Sequence, residues 1–126
     1  MSFQVVPVND LDLILYHEFT ALKSATLQTW IGLGGFDFND PGPTYTTFSD
    51  LVTFPANRAV FIPSLIEFMN TWGFQGVDID WEYPSQNVRG GRESDAENLV
   101  ALVRELRAAF GTKYGLSTVL CVFAVM

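Results

Sequence analysis

Residues 76–84 read GVDIDWEYP, and their strict alternation constrains the chain more than any other feature. Val77, Ile79 and Trp81 are apolar and strand-favouring, whereas Asp78, Asp80 and Glu82 are acids. Side chains two apart on a strand share a face, so three carboxylates line one side and three hydrophobes the other. Pro84 cannot continue a paired strand, so this one is expected to end near Tyr83. Both flanks have helical patterns, which makes it a parallel strand covered on its apolar side. The acids then face a confined space, where mutual repulsion raises at least one carboxyl pKa. A raised carboxyl suits a general acid near neutral pH. The plainer alternative is a solvated edge strand. With 14 acids in 126 residues, three acids at this spacing arise by chance about 0.17 times per chain, so the acids alone are a weak signal. The apolar interleaving and the Tyr-Pro stop carry the rest.

The flanks supply the other elements. Residues 3–6 are a short apolar run ended by Pro7, expected to be the tail of a strand. Asn9 or Asp10 can cap a helix running to about Lys23. Its Leu11, Ile14, Leu15, Phe19 and Leu22 recur at helical spacing and are expected in the core. Residues 26–33 are a buried strand candidate ended by Gly34 and Gly35, a plain turn or a place where another group approaches closely. Asp40-Pro41-Gly42-Pro43 is a rigid turn flanked by Phe36, Phe38, Tyr45 and Phe48, which either stack on a sugar or anchor the loop. Residues 55–72 have a helical pattern closed by Gly73. Pro63 within them costs about 3 kcal/mol, so the helix is expected to start near Ile62 or to kink. After a polar loop, Ser94 and Glu97 form an expected capping box. Leu99, Leu102, Val103, Leu106 and Phe110 mark a helix closed by Gly111 and Gly115, and residues 116–126 are a last strand candidate. The result is an α/β chain with a parallel sheet and about four βα units.

Composition removes several classes of function. The length fits one domain, and 48% hydrophobic residues suffice for a core. The net charge is −7 and no basic stripe exists, which argues against nucleic acid and against an acidic membrane surface. Cys121 is the only cysteine, so neither an internal disulfide nor a cysteine metal cluster is expected. His17 stands alone and is taken as a surface or packing residue. The first residues have no signal-peptide pattern, and no apolar stretch is long enough to span a bilayer.

GVDIDWEYP resembles the signature strand of the glycoside hydrolase family 18 chitinases, D-G-x-D-x-D-x-E. LQTWIGLGGF, residues 27–36, resembles the family's second marker, a strand ending in S-x-G-G. With the loop FNDPGPT these motifs point to fungal-type members, over roughly residues 3–120. The resemblance implies a (β/α)₈ TIM barrel, of which this chain is a part. It implies Glu82 as general acid, Asp80 as the group that orients the substrate's acetamido arm, and Asp78 as Asp80's proton-sharing neighbour. Tyr83 and Phe36 would line the sugar site, with Gly34 and Gly35 helping to floor it. The implied reaction is substrate-assisted and needs no cofactor or metal. The implied partner is chitin or a chitooligosaccharide, met outside the cell.

Three departures from the pattern stand out. Gln75 replaces the first Asp of the signature, and Gly32 replaces the serine of S-x-G-G. After Leu120 the chain reads CVFAVM where the family continues with proline and aromatics, so a truncated barrel is expected. A partial barrel exposes strand edges, which favours self-association. Two other readings are a sugar-binding module without turnover, against which the retained Glu82 counts, and a metal site on Asp78, Asp80 and Glu82.

Overall fold

The computed structural model describes residues 2–120 and contains one three-stranded parallel sheet in the order β1-β2-β3. The strands are β1 (Trp30–Gly34), β2 (Gly76–Asp80) and β3 (Gly115–Thr118). Parallel neighbours need long crossover connections, which are helical here. Helices α2 (Thr47–Thr53) and α3 (Pro55–Trp72) link β1 to β2, and α4 (Asp95–Phe110) links β2 to β3. Helix α1 (Asp10–Thr20) precedes β1.

The alternation of β2 sorts its side chains as expected. Val77, Ile79 and Trp81 are buried in the core with Leu65, Met69, Leu102 and Leu106. Trp81 stacks on Phe48 with ring centroids 5.4 Å apart. Buried Arg58 ties the helices together: it donates to Glu105 of α4 at 2.8 and 3.0 Å and to the Val52 carbonyl at 2.6 Å. That pairing holds the Glu105 carboxyl below its ordinary pKa, because hydrogen bonds from Arg58 favour its charged form.

Several expectations need correction. Residues 2–8 form no strand; among the described residues the sheet has three strands, not four. Val5 instead donates its N–H to Ser64 Oγ at 2.9 Å. A cavity of about 440 Å³ lies between this segment and Ile31, Leu33, Phe61 and Phe68. The α1 face expected in the core is largely in solvent: Leu11, Ile14 and Leu22 are each 60% exposed. A helix face is buried only when another element covers it. Here β1 is an edge, and no described strand pairs with its outer side. Helix α1 docks through Tyr16, edge-on to Phe68, Trp72 and Phe74 at 5.4–5.5 Å. Its start is the capping box of Asn9 and Asp12. His17 packs against Trp72.

Helix α3 does not start late near Ile62 but runs from Pro55. Pro55 takes its first turn, where a missing N–H is harmless, and Pro63 sits inside on the exposed side. Gly73 ends it in the left-handed conformation, φ +81°. Helix α2 was not anticipated, because its seven residues are too few to show a period. Gly115 opens β3 and does not close α4. The last strand candidate ends its pairing at Thr118, and its residues 121–126 lie outside the described residues, as does Cys121. No described helix is long and apolar enough to cross a membrane.

Candidate active site

The three acids gather at the C-terminal end of β2. The ladder there stops at Asp80, earlier than Tyr83, because β1 runs out: Gly34 is opposite Asp80, and the Gly35 N–H donates to the Asp80 carbonyl at 2.9 Å. Glu82 and half-buried Tyr83 therefore sit on the loop leaving the strand, joined by a cis peptide. Asp78 lies one step deeper and accepts from Ser117 Oγ of β3 at 2.5 Å, its partner in register.

Asp80 is the carboxyl whose pKa rises. Burial is the main cause, followed by the charges of Glu82 and Asp78 and hydrogen bonding with the Glu82 side chain. Its Oδ1 is buried and accepts no hydrogen bond among the described residues. The raised pKa favours the neutral form of Asp80, and a neutral carboxyl is a donor as well as an acceptor.

The glycine pair makes this arrangement fit. Gly34 has φ +104°, and a Cβ there would fall 2.4 Å from the Asp80 carbonyl oxygen and 2.6 Å from the Phe48 ring. At Gly35, φ +96°, the nearest atom to a Cβ would be Asp80 Oδ2 at 4.0 Å. The close-approach reading of these glycines therefore holds at Gly34. Gly32 differs: it is in register with Asp78, and a Cβ on it would meet nothing within 4 Å. Gln75 lies at the other end of the sheet. It pairs with Thr29 through its N–H and its side chain, at 2.8 and 3.2 Å, and its carbonyl accepts from Gly115 at 2.9 Å. Its role is to join the three strands, away from the acids.

Two loops wall the site. Phe36 is 52% exposed at the end of β1, with the Arg89 guanidinium 3.9 Å from its ring centre. Gly90, φ +74°, abuts Tyr45, where a Cβ would fall 2.1 Å from the carbonyl oxygen. Tyr45 in turn donates its hydroxyl to the Asn87 carbonyl at 2.9 Å. The loop's far end hangs on Asp95, which is fully buried and accepts from Ser49 Oγ at 2.7 Å, from the Arg92 N–H at 2.7 Å and from the Ser85 N–H at 3.3 Å. Ser85 is held at φ +64°. This replaces the expected capping box, since the Ser94 side chain caps nothing. Sequence reasoning passed over Arg89 and Asp95. The glycines at 90 and 91 were the available sign that this loop is pressed against a neighbour. Asp95→Asn is expected to destabilise the chain by about 1–2 kcal/mol, because one buried acceptor becomes a donor facing donors. Urea denaturation measures this; an unchanged midpoint would mean that Asp95 does not organise the loop.

Among the described residues no three His, Cys, Asp or Glu side chains are grouped to hold a metal ion. The geometry is a row of carboxylates on a parallel sheet, at the strand ends where barrels keep their active sites. The sequence pattern of the glycosyl hydrolases family 18 matches residues 2–125. The chain belongs to this family. It is 40% identical over 103 residues to a "Probable endochitinase" of Caenorhabditis elegans, which covers 80% of this chain and 15% of the relative. It is 36% identical over 111 residues to Chitotriosidase-1 of Mus musculus, covering 86% and 22%. The fold matches catalytic domain 2 of the Ostrinia furnacalis Group II chitinase, solved with a penta-N-acetyl chitooligosaccharide, at a TM-score of 0.74 and 35% identity. That match covers 86% of this chain and 28% of the other. The three strands are thus part of a family 18 TIM barrel, and the chain spans only 15–28% of the length of these relatives.

Proposed function

We propose that this chain carries the acid-bearing segment of a chitinase, which cleaves β-1,4-linked N-acetylglucosamine polymers with retention. The observation that carries the reading is Asp80, set between Asp78 and Glu82 with its carboxyl pKa raised by burial and by both neighbours. A protonated Asp80 donates to the substrate's acetamido group and aims its carbonyl oxygen at the anomeric carbon. Glu82 protonates the leaving glycosidic oxygen as that bond breaks. The acetamido oxygen forms the new bond to carbon, giving an oxazolinium ion. Glu82, now ionised, takes a proton from water as the water opens that ion. Ser117 holds Asp78 in place behind the pair. No step requires a cofactor. Chitin is an extracellular polymer, so that is where the parent protein would act.

The test is release of fluorophore from a chitotriose conjugate by the purified chain. Release supports the reading. A folded chain that releases nothing sinks it for this chain as it stands. A second reading, oligosaccharide binding without turnover, is favoured by the openness of the sheet, since Gly32 and Ser117 beside Asp78 are exposed. Calorimetric binding of chitotriose without release would select it.

The same openness gives a prediction about association. A groove of about 530 Å³ runs along the β1 edge between Leu15, Phe19, Leu22, Trp30, Ile31 and Phe74. An exposed edge beside an apolar helix face favours self-pairing. Light scattering is expected to show particles larger than a monomer. Leu15→Lys with Phe19→Glu is expected to shift them toward monomer, and a monodisperse monomeric wild type would refute this.

A further inference from the structure

We infer that Arg89 is a positioning residue, coupling the Phe36 ring to the backbone of the acid Glu82. The inference rests on the chitinase reading for its catalytic consequence, but the coupling itself stands on geometry. Arg89 leaves the β2–α4 loop and reaches back over the site. Its Nε donates to the Glu82 carbonyl at 2.6 Å. One terminal nitrogen donates to Asp40 Oδ1 at 3.2 Å, and the other donates to the Phe36 carbonyl. The guanidinium plane lies over the Phe36 ring. Only a planar fork serves three acceptors in different directions while stacking on an aromatic ring.

The consequence follows from where these acceptors sit. Glu82 lies beyond the last ladder bond of β2, so no neighbouring strand among the described residues fixes it. Arg89 is what holds its backbone to the opposite loop. With one ring face taken by Arg89, Phe36 offers its other face to a sugar. The ring and the acid therefore share one support. The arginine side chain is only 13% exposed, which limits its own swing. Asp40 adds an opposite charge at the outer end of the fork.

Arg89→Ala separates the two halves of the claim. Amide hydrogen exchange on the folded chain should quicken at residues 36–40 and 82–85 while the helices α3 and α4 keep their protection. With chitotriose conjugate, kcat is expected to fall by about thirtyfold, since small misplacements of a reacting group carry penalties of that order. KM is expected to rise about threefold through the freed ring. On a Phe36→Ala background the KM effect of Arg89→Ala should vanish and the kcat effect should persist. Arg89→Lys keeps the charge without the fork and should recover less than half of the lost rate. If Arg89→Ala fails to fold, Arg89→Lys carries the test, with the same segments exchanging faster and kcat lowered. Full recovery by lysine, or unchanged exchange in both segments, would overturn the coupling. Faster exchange in a chain whose wild type cleaves nothing would leave the coupling standing and sink the hydrolase reading alone.

Discussion

Gly34→Ala is expected to destabilise the fold by about 4 kcal/mol. Two penalties act together. At φ +104° an L side chain is strained by about 1–3 kcal/mol. The new Cβ would also lie 2.4 Å from the Asp80 carbonyl oxygen and 2.8 Å or less from two atoms of the Phe48 ring. Neither neighbour can yield. The Asp80 carbonyl is already bound to the Gly35 N–H, and Phe48 is wedged between Trp81 and Phe38 at 5.4 and 5.2 Å. Relief has to come from parting β1 and β2 at the level of the acids. The control lies two residues away on the same strand. Gly32→Ala meets nothing within 4 Å and carries no positive φ, so its effect should stay within about 0.5 kcal/mol. Urea denaturation followed by tryptophan fluorescence compares the two. Equal losses at both positions would show that the strand merely tolerates no side chains, and that close approach to Asp80 is not the reason for the glycine.

How much was legible in the sequence depended on how local the cause was. The acidic strand declared itself because alternation is a one-strand property and burial followed it residue by residue: Val77, Ile79 and Trp81 in, Asp78, Asp80 and Glu82 out. Parallel pairing was legible from the helical flanks. The end of the strand was not, because it is decided by where β1 stops and not by Pro84. The α1 face failed for a related reason. Its periodicity is sound, but periodicity names the face that seeks cover and says nothing about whether cover is present. The loop after Glu82 was the least legible part. Arg89 and Asp95 act across 40 or more residues, on Phe36 and Asp40 in one case and Ser49 in the other. No local pattern encodes such a pairing. Only the glycines at 90 and 91, needed where the chain presses on Tyr45 and Gln86, left a trace.

Glu82→Gln and Asp80→Asn are expected to part company, and the contrast tests the division of labour between the two acids. Gln at position 82 keeps the shape and leaves the Arg89 contact intact, because that contact is to the backbone carbonyl. It removes the transferable proton, so hydrolysis should fall by about 10³-fold, within the range for loss of a general acid. Stability should change little. The Asp80 carboxyl should also titrate lower than before, since the Glu82 charge and hydrogen bond are two causes of its rise. Burial and Asp78 should still hold it above the ordinary value. Carbonyl-detected NMR titration reads this directly. Asp80→Asn acts differently. A carboxyl whose pKa is raised by folding favours the folded state when it is protonated, at pH below its ordinary value. That contribution is lost as pH rises through the raised pKa. Asn carries no such charge, so Asp80→Asn should be more stable than wild type at neutral pH, with the difference fading as the medium is acidified. Its hydrolysis should still drop, because an amide cannot release the proton that Asp80 shares with its neighbours. If Asp80→Asn is instead the less stable chain at neutral pH, Asp80 is ionised and well paired there, and the role of a neutral donor to the acetamido group passes to another residue.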